Sequence, residues 1–129
     1  MAFVLDTNVA IHLRDGDWVV AMRVGRLNGA VLLSMVTRGE LVGGVYRDPI
    51  DAPLRRVRLD AVLSAIPTLA FDEDAADAYR TIVERVGYSR RKLLDHMVAA
   101  QAIVHRATVV TMNPADVADI PGVDGFQRL

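Results

Sequence analysis

Short unbroken apolar runs alternate along this chain with longer stretches in which apolar residues recur every three or four positions. Phe3–Leu5, Ala30–Leu33, Thr68–Phe71 and Thr108–Thr111 are the short runs, and they read as strands buried on both faces. Between them the spacing predicts helices over Asn8–Leu13, from Asp17 as cap to Leu27, and over Val36–Arg47 with Ser34 as cap. Further helices follow over Pro53–Ala65, from the cap Asp72 to Val86 before Gly87, and over Arg90–His105 opened by Ser89. Asn28-Gly29 and Asp48-Pro49 are breaks, Asn113-Pro114 begins a short turn or helix, and Val123–Phe126 reads as a last edge strand. Strands alternating with helices predict an α/β fold in which a parallel sheet is covered on both faces.

Against that frame a few acids fall where packing alone does not ask for them. Asp6 ends the first strand, and the crevice beyond strand C-termini is where open α/β sheets bind ligands. A helix cap is the other account of Asp6. Asp95 shares a helix face with Val98, Ala99 and Ala102, which should meet the core. An unpaired carboxylate there costs several kcal/mol or takes up a proton, so it calls for a cation, a substrate or an ion pair with Arg91. Glu40 sits among Gly39, Gly43 and Gly44, which weaken a helix but let another group come close; a solvated pair with Arg38 or Arg47 is the alternative. Asp116 follows the strand Thr108–Thr111 as Asp6 follows the first, and an acid in the first turn of a short helix is its plainer reading. Together the four acids would repel one another without a cation. Hard oxygen donors, with no cysteine and no paired histidine, select Mg²⁺ or Mn²⁺. Such ions acidify water and neutralise phosphate, which points to phosphodiester chemistry.

Composition narrows the partners. With no cysteine, disulfides and thiolate metal sites are excluded. The formal net charge of -1 leaves no global basic footprint, so contact with nucleic acid must come from local patches. Arg90-Arg91-Lys92 and Arg55-Arg56-Val57-Arg58 are the candidates, and the first opens the helix that carries Asp95. Trp18, Tyr46 and Tyr88 are assigned by default to core packing, and His12, His96 and His105 make no zinc motif. No apolar run is long enough to span a membrane and no basic segment precedes the first strand, so the expectation is a cytoplasmic protein.

The four segments Val4-Leu5-Asp6-Thr7-Asn8, Ser34–Leu41, Asp95–Ala102 and Val110–Asp116 with Ile120–Val123, in that order, resemble the PIN-domain ribonucleases, and most closely the VapC toxins of prokaryotic toxin–antitoxin pairs. The resemblance implies a single PIN domain over residues 1–129, with a Rossmann-like α/β/α sandwich around a parallel sheet. It implies Asp6, Glu40, Asp95 and Asp116 as the catalytic Mg²⁺ or Mn²⁺ ligands, with Thr7, Asn8, Thr111 and Asn113 as supporting polar groups. It further implies cleavage of single-stranded regions of tRNA or rRNA, restraint by a VapB-like antitoxin, and a homodimer. His96, Met97, Val117 and Phe126 depart from the residues usual at their positions, but no carboxylate is lost. A receiver or phosphatase-like domain would want a second acid beside Asp6 and a lysine after the last strand, and has neither here. The alternative is a catalytically inactive PIN domain that binds RNA or protein.

Overall fold

The computed structural model describes residues 1–123 and 126–129. Five strands, β1 (Ala2–Leu5), β2 (Ala30–Ser34), β3 (Thr68–Leu69), β4 (Thr108–Thr111) and β5 (Phe126–Arg128), form one parallel sheet in the order β3-β2-β1-β4-β5. Among the described residues six α-helices surround it: α1 (Thr7–Arg14), α2 (Trp18–Gly25), α3 (Met35–Val45), α4 (Ala52–Ala65), α5 (Glu73–Val86) and α6 (Leu93–Val104).

Strand alternation divides the apolar residues between two cores. Phe3, Leu5, Leu33 and Val110 point to one face and pack against Val9 and Ala10 of α1, Val20 and Val24 of α2, Leu41 and Val45 of α3, and Leu59 and Val62 of α4. Val4 and Val109 point to the other face and meet Ile82 of α5, with Val98, Ala99 and Ala102 of α6. This two-sided burial is why the strands read as unbroken apolar runs. The chain builds outward from β1 to β2 and β3, then returns across to β4 on the other side of β1. The sheet therefore switches direction between β1 and β4, and the crevice beyond their C-terminal ends is the place a ligand meets in such folds.

The capping residues act as read from sequence. Asp17, Ser34 and Asp72 accept from Val19 and Val20, Val36 and Ala75 respectively, and Gly87 closes α5 at φ 85. Four expectations need correction. The third strand stops at Leu69, because beyond it the Gln101 amide takes the Leu69 and Ala70 carbonyls in place of a further strand. The final helix begins at Leu93, so Arg90, Arg91 and Lys92 lie in a turn before it, closed by the Lys92 amide on the Ser89 hydroxyl at 3.3 Å. The last strand is Phe126–Arg128, later than Val123–Phe126; Asp124 and Gly125 lie outside the described residues. Trp18, Tyr46 and Tyr88 are exposed at 72%, 63% and 66%, and are not core.

The basic run on α4 has a structural use. Arg58 donates to the Asp15 carbonyl at the end of α1 (3.1 Å), and Arg55 donates to the Gly44 carbonyl at the end of α3 (3.3 Å). Both arginines satisfy carbonyls that a helix C-terminus leaves open.

Candidate active site

Asp6 is placed by the last rung of β1, where its amide donates to the Val110 carbonyl at 2.9 Å. The chain turns there into α1, and Asp6 Oδ1 accepts from the Val9 amide at 2.9 Å, so the residue caps the helix while remaining buried. Burial raises its pKa above the ordinary carboxylate value, and the nearby Asp116 adds to the rise. Hydrogen bonds from the Thr111 hydroxyl and the Val9 amide oppose it.

Thr111, fully buried at the end of β4, links two of the acids. Its oxygen accepts from the Asn113 amide at 3.0 Å and lies 3.2 Å from the Asn113 carbonyl. The hydroxyl has one proton and two acceptors in reach, that carbonyl and the Asp6 carboxylate. The charged acceptor is the stronger, so we assign the proton to Asp6. The Asn113 side-chain amide in turn donates to Asp116 Oδ1 at 3.3 Å. Asp116 closes a single 3₁₀ turn, Pro114–Asp116. A polar chain thus runs from Asp6 through Thr111 and Asn113 to Asp116.

Asp95 lies in the first turn of α6, half-buried, with Val98, Ala99 and Ala102 buried behind it. Burial pushes its pKa up, Asp116 and Asp6 push it further, and Lys92 pulls it down. No ion pair joins Asp95 to Arg91 among the described residues. Asp6, Asp95 and Asp116, delivered by β1, α6 and the turn after β4, therefore stand within one another's field at the switch point of the sheet.

Glu40 stands apart from that trio. It is exposed on α3 and pairs with nothing among the described residues, although α3 itself is tied to the site by a 3.1 Å bond between the Thr37 and Thr7 hydroxyls. Among the described residues no three acids or histidines close on one point as a metal cage. Asn8 is exposed in the first turn of α1. Arg90 and Arg91 are exposed, and Lys92 Nζ lies 3.5 Å from Asp119 Oδ2. His96, buried next to Asp95, has its pKa lowered by desolvation and by Lys92. Thr37 was missed in the sequence. Its signal was a polar residue in the buried row Thr37, Leu41, Val45, spaced four apart.

The family model for the PIN domain matches residues 3–121. The chain belongs to the PIN-domain family. PIN domains are nucleases and generally use divalent metal ions. Solved structures with this fold include DNA-bound VapBC from Salmonella typhimurium, at TM-score 0.83 and 23% identity over 98% of each chain. FitAcB from Neisseria gonorrhoeae superposes at TM-score 0.73 with 29% identity, over 97% of this chain and 96% of that one. VapBC-5 from Mycobacterium tuberculosis, of the VapBC family of toxin–antitoxin systems, does so at TM-score 0.71 with 25% identity over 98% of each. A curated relative, a tRNA-2-methylthio-N(6)-dimethylallyladenosine synthase of Cutibacterium acnes, is 25% identical over 113 residues, 84% of this chain. The chain spans only 23% of that protein's length. No helix among the described residues is long and apolar enough to cross a membrane.

Proposed function

We propose that this PIN domain is the toxin subunit of a VapBC-type pair: a Mg²⁺- or Mn²⁺-dependent endoribonuclease that cuts single-stranded regions of tRNA or rRNA and is silenced by a VapB-like antitoxin. The observation that carries the reading is that Asp6, Asp95 and Asp116 are drawn from three separate elements to one crevice, where Asp116 raises the proton affinity of Asp6 and of Asp95, and Asp6 adds to that of Asp95. Three carboxylates held together this way are strained as anions, and a hard divalent cation is the partner their oxygens suit. Asp6, Asp95 and Asp116 are the residues that would hold it, with Glu40 of α3 as the fourth acid of the proposed set. When bound, such an ion supplies an acidified water and screens the charge that grows on a phosphate under attack.

The rest of the chemistry belongs to the protein. Thr111 opposes the burial-driven rise in the proton affinity of Asp6, and Asn113 orients Asp116. Thr7 and Asn8 line the first turn of α1 next to Asp6. Arg90 and Arg91, exposed in the turn before Asp95, with Lys92 close enough to lower that residue's pKa, are suited to RNA phosphates, where they fix position without reading sequence. An apolar surface of Tyr46, Ile50, Leu54 and Val57 suits the antitoxin. The reading also takes the protein to be a homodimer.

The decisive experiment compares wild type with Asp95→Asn on tRNA and rRNA in Mg²⁺. The wild type should cut and the variant should lose at least about 100-fold in rate, in keeping with loss of one charge-stabilising group. Full activity in Asp95→Asn would overturn the site. A wild type that binds RNA, does not cut it and shows no thermal shift with Mn²⁺ would establish the inactive binding module instead.

A further inference from the structure

Two polar side chains, Thr37 from α3 and Arg14 from α1, tie these two helices together. The Thr7 and Thr37 hydroxyls meet at 3.1 Å. Seven residues on, the Arg14 guanidinium lies against Gly44, so closely that a Cβ there would stand 2.5 Å from Nη1, and it donates to the Leu41 carbonyl at 3.1 Å. The order of the two ties is the same on both partners, so the two helices run in the same direction over about two turns, about 10 Å. Glu40 lies between the ties, one turn after Thr37 and one turn before Gly44.

The ties matter because α3 is intrinsically weak. Three of its eleven residues are glycine, each costing about 1 kcal/mol of helix propensity against alanine. Its pose is therefore set from outside. Thr37 is fully buried, and its hydroxyl reaches the residue that directly follows Asp6. Arg14 is also buried, held in place by Asp15 Oδ1 at 3.0 Å. The Glu40 side chain has no ion pair or hydrogen bond among the described residues, so the path of α3 alone sets where its carboxylate lies.

We propose that Thr37 is a positioning residue for Glu40: its bond to Thr7 fixes the distance between the two acids that the first and third helices bring to the site. The inference rests on the metal-site reading above. Its chemistry is simple, since one hydroxyl proton shared between two threonines locks a helix whose own sequence would let it slide.

The test measures Mn²⁺ binding by calorimetry on the full chain free of antitoxin, in Thr37→Val, Thr37→Ser, Glu40→Gln and the double variant Thr37→Val/Glu40→Gln. Thr37→Val keeps the volume and removes the bond, so the dissociation constant should rise about tenfold, on the scale of one hydrogen bond. Thr37→Ser should bind close to wild type. The double variant should be no weaker than Glu40→Gln, because Thr37 acts through Glu40. Thr7→Val, which breaks the same bond from its half-exposed side, should match Thr37→Val and serves if that variant folds poorly. The inference falls if Thr37→Val binds like wild type, if serine fails to rescue, or if the two losses multiply. Should Glu40→Gln itself bind normally, Glu40 is no part of the metal site and both readings fall together. A weakened Glu40→Gln beside a silent Thr37→Val overturns this inference alone.

Discussion

At Asp6 one carboxylate oxygen is committed to the Val9 amide, so capping and ligand binding divide the same group between them. That explains why the sequence supports either account of this residue. Thr111 and the field of Asp116 act on the same carboxylate, and burial holds the whole group at a raised pKa, as it does Asp95. The sign of the stability effect follows from linkage. Above the ordinary value of 3.8 the unfolded chain has released these protons, while the folded protein still keeps them. Stability therefore falls as pH rises from that value through the folded pKa values, and the loss is complete above them. Without added metal, the melting temperature of the wild type should fall relative to an Asp6→Asn/Asp95→Asn variant as the pH rises above about 4. Thermal scans at fixed ionic strength check this. Wild-type and variant curves that stay parallel would mean the carboxylates are not strained as anions. Excess Mg²⁺ should restore the wild type at the upper end and do little at the lower end.

Helix α3 shows most clearly how an element can be correct in outline and opaque in detail. Ser34, the apolar spacing and Asp48-Pro49 announce the helix, and its glycines announce a close neighbour. They do not say which glycine has one. In the fold Gly43 has nothing within 4 Å of an added Cβ, while Gly44 faces the Arg14 guanidinium. Gly43→Ala should therefore stabilise by about 0.5–1 kcal/mol, the usual helix-propensity difference. Gly44→Ala should destabilise by about 1–3 kcal/mol, since Arg14 is buried and overpacking outweighs the propensity gain. Urea unfolding of the two variants reads both signs directly. The site was legible to the same degree. Asp6, Asp95 and Asp116 stood out because strand ends and an apolar helix face are poor places for unpaired acids. Thr37 did not, because a threonine in a buried row passes as ordinary packing until its partner thirty residues away is known. The structural use of Arg55 and Arg58 was hidden for the matching reason, as carbonyls at the ends of other helices are invisible in sequence.

At the scale of the molecule, the order β3-β2-β1-β4-β5 puts every acid of the trio at one crevice, and among the described residues large apolar side chains between the end of α3 and α4 stand exposed. Ile50 is 87% exposed, Val57 66% and Leu54 54%, with Tyr46 beside them. Apolar side chains this exposed and this close in sequence cost solubility, and a folded domain keeps such a patch when something docks on it. The solved relatives are VapBC and FitAB assemblies, so the antitoxin is the occupant the proposal assigns. Truncating the central anchors of an interface costs about 2–4 kcal/mol in binding, whereas surface substitutions change folding stability by about 0.5 kcal/mol or less. Ile50→Asp/Leu54→Asp should therefore lose the antitoxin in co-purification and gel filtration while keeping its melting temperature and its RNA cleavage. In cells co-expressing the antitoxin, that variant should be toxic where the wild type is restrained. A variant that co-elutes with antitoxin at wild-type stoichiometry would move the docking surface elsewhere, with the acid site left standing.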